Sequence, residues 1–265
     1  MEVHLPKGPM HSVRDFLKEV GIIVLGVLLA LAAEQSVEAL HWRHEIEAAE
    51  DAMRIELRDD DGVQAYGRLA IASCLDGALA RMDSSAAQGA SPTSLDALSD
   101  AYDPPIRVWD AEAWKAVVAS DVGTHMTTLR MVGWSAAYRL MQVATNLNAA
   151  ETDYAGDLHR SLPPSPTGAQ LMNYRRTVVQ LRLINGELAA ISQILLGRMH
   201  GLGVDVPFAE RRALIGEAER RYGRCVVEPR LVPESHLSQF AGDADFRAFG
   251  QEGGVPVSSG DAVTH

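Results

Sequence analysis

The run VGIIVLGVLLALAA, from Val20 to Ala33, is the longest uninterrupted apolar stretch in this chain of 265 residues. As an α-helix this run would extend about 21 Å, which is less than the ~30 Å hydrocarbon core of a bilayer. The helical pattern continues on both sides, because Phe16 and Leu17 precede the run and Leu40 follows it. A helix from Phe16 to Leu40 is therefore long enough to cross a membrane with its charged residues near the ends.

Three interpretations of this run compete, and the sequence favours a retained transmembrane helix. A cleaved signal peptide is the first alternative, since Ala30-Leu31-Ala32 has the A-x-A form of a cleavage site. However, no helix breaker follows, and helix-compatible residues continue as far as Glu45. A buried core helix of a soluble protein is the second alternative, and the charges that flank the run argue against it. We predict an anchor helix over residues 13–41, preceded by a cytoplasmic tail of residues 1–12.

The distribution of basic residues predicts the orientation of the anchor. Lys7, Arg14 and Lys18 precede the run, whereas Arg43 alone follows it closely. Because lysine and arginine are enriched on the cytoplasmic side of a membrane, we expect the N-terminus in the cytoplasm. The chain would then cross the inner membrane once, with its main domain in the periplasm if the source is a Gram-negative bacterium.

The composition indicates a folded domain and excludes one class of partner. The net charge is −11, with 47% hydrophobic and 22% charged residues. A folded domain is expected from that balance. An acidic chain lacks the basic face that binds nucleic acid, so we predict no nucleic-acid partner.

Apolar residues recur at helical spacing through the rest of the chain. The first helix is expected to end at Asp59-Asp60-Asp61-Gly62. Longer helices are predicted over Val63–Ser85, Thr124–Leu162 and Thr167–Met199, and shorter ones over Ser94–Ala101, Asp110–Ser120 and Phe208–Tyr222, with Asp110 as an N-cap. The Thr124–Leu162 helix is marked by Leu129, Val132, Ala136, Leu140, Val143, Leu147, Ala150 and Tyr154. No stretch alternates at a period of two.

The predicted fold class is therefore all-α, with an N-terminal transmembrane helix that continues into an antiparallel helical bundle. The bundle is expected to occupy residues 42–230. Residues 231–265 are rich in Gly, Ser, Asp and Pro and are predicted to be largely irregular or disordered.

One face of the predicted anchor suits contact with another helix. Gly26 and Ala30 form a small-xxx-small pair, which allows two helices to approach closely. Carboxylates at membrane depth are costly and tend to seek partners. The face consists of Glu19, Gly26, Ala30, Ala33 and Val37, with Glu34 beside it. We predict that it contacts another transmembrane helix, either of a second copy or of a larger membrane complex. The alternative is an ordinary anchor with carboxylates at the interface.

The two cysteines, Cys74 and Cys225, leave two possibilities open. In an oxidising compartment they would form one disulfide, and otherwise they are two small buried hydrophobes. They do not make a zinc site, because there is no CxxC pair.

The sequence offers weak candidates for other sites. His41, His44 and Glu45 share a helix edge, a spacing compatible with zinc, but a third strong ligand is not evident. Glu56 and residues 59–61 form an acidic cluster without the spacing of a calcium loop. We predict no catalytic residues, no metal and no cofactor, and we interpret these clusters as solvated helix surface.

The anchor also carries a family resemblance. Residues 19–31, EVGIIVLGVLLAL, with Glu34 and Trp42-Arg43, resemble the anchors of uncharacterised bacterial membrane proteins of the pattern E-I-x-L-V-x-x-G-I-L-I-A-L. The resemblance implies a single-pass membrane protein with a helical extracytoplasmic region, and it implies no activity.

These observations together favour a non-enzymatic protein that acts through protein contacts, as an accessory or scaffold subunit of a membrane assembly. Its expected partners are the lipid bilayer and another transmembrane helix. Two alternatives are a membrane-tethered domain that binds or senses a ligand and a secreted periplasmic helical protein with a cleaved signal peptide.

Overall fold

A computed structural model of the protein describes residues 13–105, 107–158, 160 and 162–230. The two predicted tails, residues 1–12 and 231–265, lie outside the described part of the chain. The helices are α1 (Val13–Glu56), α2 (Gly62–Ala87), α3 (Pro92–Asp100), α4 (Glu112–Ala119), α5 (Val122–His125), α6 (Thr128–Leu158), α7 (Gly168–Gly201) and α8 (Phe208–Tyr222). The described residues contain no strand, so the all-α prediction is confirmed.

The chain divides into two compact units after Ala49. In the first unit, the side chains of the apolar segment of α1 are exposed. Among the described residues, one helical stretch, which begins at Phe16, is long and apolar enough to cross a membrane. The most apolar part of this stretch has no buried residues.

The helix that begins at Val13 does not end where the sequence predicted. A π-helical turn, Leu57–Asp61, leads directly into α2. Gly62 adopts helical angles (φ −63°, ψ −41°) instead of stopping the helix. The space around it explains the glycine, because an added Cβ would lie 2.5 Å from Cε of Met199 and 2.9 Å from Cγ2 of Val206. The absence of a side chain at Gly62 therefore allows Met199 and Val206 to approach the start of α2 closely.

The second unit is built around α7, which packs against α2 and α6. Arg182 binds Asp76 and Arg175 binds Asp83, so α7 runs antiparallel to α2. The core between these helices is formed by Leu75, Leu79, Met82, Leu95, Tyr102, Leu158, Val178 and Leu181. This arrangement confirms the predicted antiparallel packing.

Local signals account for several helix ends. Thr167 begins α7 with a capping box, in which its hydroxyl accepts from the Gln170 amide and the Gln170 side chain accepts from the Thr167 amide. The predicted Phe208–Tyr222 helix coincides with α8. The predicted Thr124–Leu162 helix is shorter in the structure, since the short α5 precedes it and α6 begins at Thr128.

Candidate functional site

The predicted helix-contact face lies on α1, in the first unit. Its five residues are exposed, and so is Glu34 beside it: Glu19, Gly26, Ala30, Ala33 and Val37 form the face. A Cβ added at Gly26 would meet no atom within 4 Å. Space for the close approach of a second helix therefore exists along this face, and the contact itself stays a prediction.

A disulfide joins Cys74 of α2 to Cys225, which ends the turn after α8. The two Cα atoms are 5.0 Å apart. Two hydrogen bonds reinforce the link, from the Val227 amide to the Ala70 carbonyl (3.0 Å) and from the Ser73 hydroxyl to the Cys225 carbonyl (2.6 Å). The segment that follows α8 is thus fastened to α2.

A buried ion pair connects α2 to α6. The Arg68 guanidinium donates to both Glu151 carboxylate oxygens, each at 2.8 Å. It also donates to Oδ1 of Asn185 in α7 at 2.8 Å, and the Asn185 amide donates to the Ala72 carbonyl at 2.9 Å. Arg68 is 0% and Glu151 2% exposed. The bidentate ion pair and the hydrogen bonds of Asn185 together hold α2, α6 and α7 in one register.

Tyr102 and Arg107 interact with the ion pair. The Tyr102 hydroxyl donates to Glu151 at 3.3 Å, and burial raises the pKa of Tyr102 far above its usual range. Burial lowers the pKa of Arg107 to about 9, and the like charge of Arg68 contributes in the same direction. The Asn148 amide donates to the Arg107 carbonyl at 2.9 Å. This hydrogen bond connects the segment between α3 and α4 to α6.

Carboxylates at the end of α1 make a second polar cluster. Glu50 accepts from Nε1 of Trp134 at 3.4 Å and pairs with Arg54 at 3.0 Å. Glu56 accepts from the Tyr138 hydroxyl at 2.7 Å and from the Ala113 amide at 2.9 Å.

The predicted N-cap of α4 is therefore wrong. The N-cap position is Ala111, and it makes no side-chain capping bond. The carboxylate of Glu56 binds the Ala113 amide near the start of this helix instead of Asp110. A carboxylate stabilises a helix N-terminus whether it comes from the same segment or from a distant one.

Asp61, in the π-helical turn, is the least exposed carboxylate among the described residues. It is 0% exposed, and its Oδ1 accepts from the Asp110 amide at 3.1 Å. Its Oδ2 has no hydrogen-bond partner among the described residues. Burial raises the pKa of Asp61 to about 8, and the nearby charges of Glu56, Asp60 and Asp110 contribute. The side chain is therefore largely protonated at neutral pH.

The described residues contain no group of three or more His, Cys, Asp and Glu side chains that could hold a metal ion. His41 and His44 are exposed on α1. Glu56 binds Tyr138, and Asp59 pairs with Arg58. Glu56 therefore contributes to packing within the bundle, and Asp59 belongs to a surface ion pair.

Comparisons with protein-family models, with curated proteins and with solved structures found no match.

Proposed function

We propose that this chain is a single-pass membrane protein whose helical bundle resides in an oxidising, extracytoplasmic compartment and acts through protein contacts. The observation that carries the proposal is the exposed apolar segment of α1, in a chain whose bundle holds a disulfide. Exposed apolar surface of this extent is unstable in water and is satisfied by lipid.

The disulfide supports the proposed compartment. Disulfides form and persist outside the cytoplasm, whereas cytoplasmic thiols are kept reduced. The basic residues before the apolar run support the same orientation, with the N-terminus in the cytoplasm. Two independent features thus favour export of the bundle.

The exposed face of α1 supports an accessory or scaffold role. Gly26 and Ala30 leave a shallow face on α1, and Glu19 and Glu34 lie near it. Within a bilayer, such a face gains packing contacts, and its carboxylates gain polar partners, when a second helix covers it. The partner helix belongs to a second copy or to a larger membrane complex.

The first prediction tests the compartment. In cells quenched with acid, we expect a maleimide reagent to leave both cysteines of the full chain unmodified. After a reductant is added, both thiols should react. In a control variant with Leu25→Arg and Leu28→Arg, insertion should fail because an arginine at membrane depth costs about 2.5–3.5 kcal/mol. Its thiols should react without reduction. Two reactive thiols in the unmodified chain would refute the proposed location. A shortened chain in the soluble fraction would indicate a cleaved signal peptide and would refute the retained anchor.

The second prediction tests the anchor face. Gly26→Ile with Ala30→Ile should weaken association about tenfold in a membrane two-hybrid or crosslinking assay, because the enlarged side chains prevent close approach. Gly21→Ile with Val24→Ile, on the opposite side of α1, is the matched control and should leave association unchanged. Equal association of the two variants would refute the proposed helix contact through this face.

A further inference from the structure

The segment that leads into α4 is fastened to the π-helical turn between α1 and α2. We call its residues 107–113 the strap, and the first five of them lie in no helix or strand. The Asp110 amide donates to Asp61 of the turn at 3.1 Å, and the Ala113 amide donates to Glu56 of α1 at 2.9 Å. Two carboxylates, one from the end of α1 and one from the turn, therefore hold the strap in place.

Further hydrogen bonds hold the start of the strap. The Arg107 guanidinium donates to the Gln64 carbonyl, and the Gln64 side-chain amide donates to the Val108 carbonyl. The Asn148 side-chain amide donates to the Arg107 carbonyl at 2.9 Å. Trp109 packs against a core cluster of α6 and α7, but no residue of the strap is fully buried. Segments with little buried apolar surface open at a lower free energy than the helices beside them.

The strap binds a carboxyl group that ionisation would destabilise. Asp61 is 0% exposed, and its Oδ2 has no hydrogen-bond partner among the described residues. Burial favours the protonated form, and the charges of Glu56, Asp60 and Asp110 act in the same direction. The hydrogen bond from the Asp110 amide favours the ionised form, but burial outweighs it and raises the pKa of Asp61 to about 8.

The other neighbours of the turn do not supply a partner for Oδ2 of Asp61. Arg58, in the turn itself, pairs with the residue that follows it. Tyr138 of α6 donates to a different carboxylate at 2.7 Å. From α7, the uncharged Met199 packs beside the turn, and His200 binds a surface carboxylate at 2.9 Å. An ionised Asp61 would therefore lack a second donor while the strap is closed.

We propose that the strap is a proton-linked latch, which stays closed over the protonated carboxyl of Asp61 and lets that proton pass to solvent when it opens. Opening admits water to Oδ2, and water solvates the carboxylate. The helices around Asp61 would have to break their own backbone hydrogen bonds to admit water, so the strap is the easier route. Opening becomes more favourable from about pH 4 to about pH 8, because over that range the closed state holds a proton that the open state has released.

The test is hydrogen exchange of the full chain in a mild detergent, followed by mass spectrometry at pH 6 and pH 8. The protection factor, which is the intrinsic exchange rate divided by the observed rate, removes the pH dependence of the exchange chemistry. For peptides that cover the strap, we expect this factor to fall about thirtyfold, since one linked proton allows at most about tenfold per pH unit. Asp61→Asn should abolish the fall. Asp153→Asn, at an exposed position of α6, should retain it.

Peptides from residues 178–188, in the middle of α7, distinguish local opening from unfolding of the whole bundle. They should be at least about tenfold more protected than the strap at both pH values. Equal protection would overturn the latch, because the strap would then exchange only when the bundle unfolds.

Two further results would also overturn the latch. One is a protection factor of the strap that does not change with pH in the unmodified chain, a result that needs no variant to fold. The other is the same fall in Asp61→Asn as in the unmodified chain. Neither result would affect the proposed compartment or the anchor contact, because the latch uses residues of the bundle alone.

Discussion

Replacing Glu151 by Gln should destabilise the bundle by about 3–5 kcal/mol, the usual cost of removing one partner from a buried ion pair. The substitution leaves the guanidinium of Arg68, which is 0% exposed, without an anion. Asn185 remains as a neutral acceptor and compensates only in part. For a unit of this size we expect the melting temperature to fall by about 10 °C, measured by far-UV circular dichroism of the full chain in a mild detergent.

A surface pair provides the matched control for this prediction. Arg175 binds Asp83 at 2.8 Å, but its side chain is 46% exposed. Arg175→Met should cost about 1 kcal/mol or less, because solvent screens exposed ion pairs. The double variant Arg68→Met, Glu151→Leu should recover part of the loss, since neither member of the ion pair then remains as a buried charge without its partner. If Glu151→Gln costs no more than Arg175→Met, the buried pair does not hold the three helices together.

Sequence periodicity predicted the helices because it reports local geometry. The α8 boundaries and the capping box of α7 are set by neighbouring residues, so they are visible in the sequence. The π-helical turn was missed because Asp59-Asp60-Asp61-Gly62 has the composition of a helix end. In the structure, Met199 and Val206 lie so close to Gly62 that an added Cβ would clash with them. Such contacts between distant segments leave no local signal.

The buried polar network illustrates the same limit. Arg68 and Glu151 are 83 positions apart, and Arg68 and Asn185 are 117 apart. No local spacing connects them. One signal was available, because Asn148 and Glu151 continue the buried register of Met141 and Ala144 along α6. Polar residues in an apolar register point to a paired interior group.

The anchor face shows what a sequence does predict about a site. All of its residues lie on one helix, so helical geometry alone places them together. The structure leaves that face exposed. The partner that we propose lies on a second chain, which is why the sequence of one chain predicts the surface and not its occupant.

Replacing Asp61 by Asn should make the bundle much less sensitive to pH. The raised pKa of Asp61, about 8 against an ordinary 3.8, means that the folded state favours the protonated carboxyl. Each unit of pKa difference corresponds to about 1.4 kcal/mol, so full ionisation costs the folded state on the order of 5 kcal/mol. Asparagine keeps an oxygen that accepts from the Asp110 amide, and it carries no charge to bury.

The sign of the effect follows from proton binding. Between pH 4 and pH 8 the folded state holds a proton that the unfolded state has released, so stability falls as the pH rises. The loss is complete once the folded carboxyl ionises, near pH 8. We therefore expect Asp61→Asn to melt close to the unmodified chain at pH 4 and about 10 °C above it at pH 8.5.

Asp153→Asn is the control for that comparison, because Asp153 is exposed, the change in charge is the same, and Asp153 is not among the charges that raise the pKa of Asp61. Its melting temperature should follow that of the unmodified chain at both pH values. If Asp61→Asn were instead less stable at pH 8.5, the carboxylate of Asp61 would have to be ionised and paired in the folded bundle. Its Oδ2 has no hydrogen-bond partner among the described residues. The proton on Asp61 therefore accounts for how a carboxyl group survives in this interior.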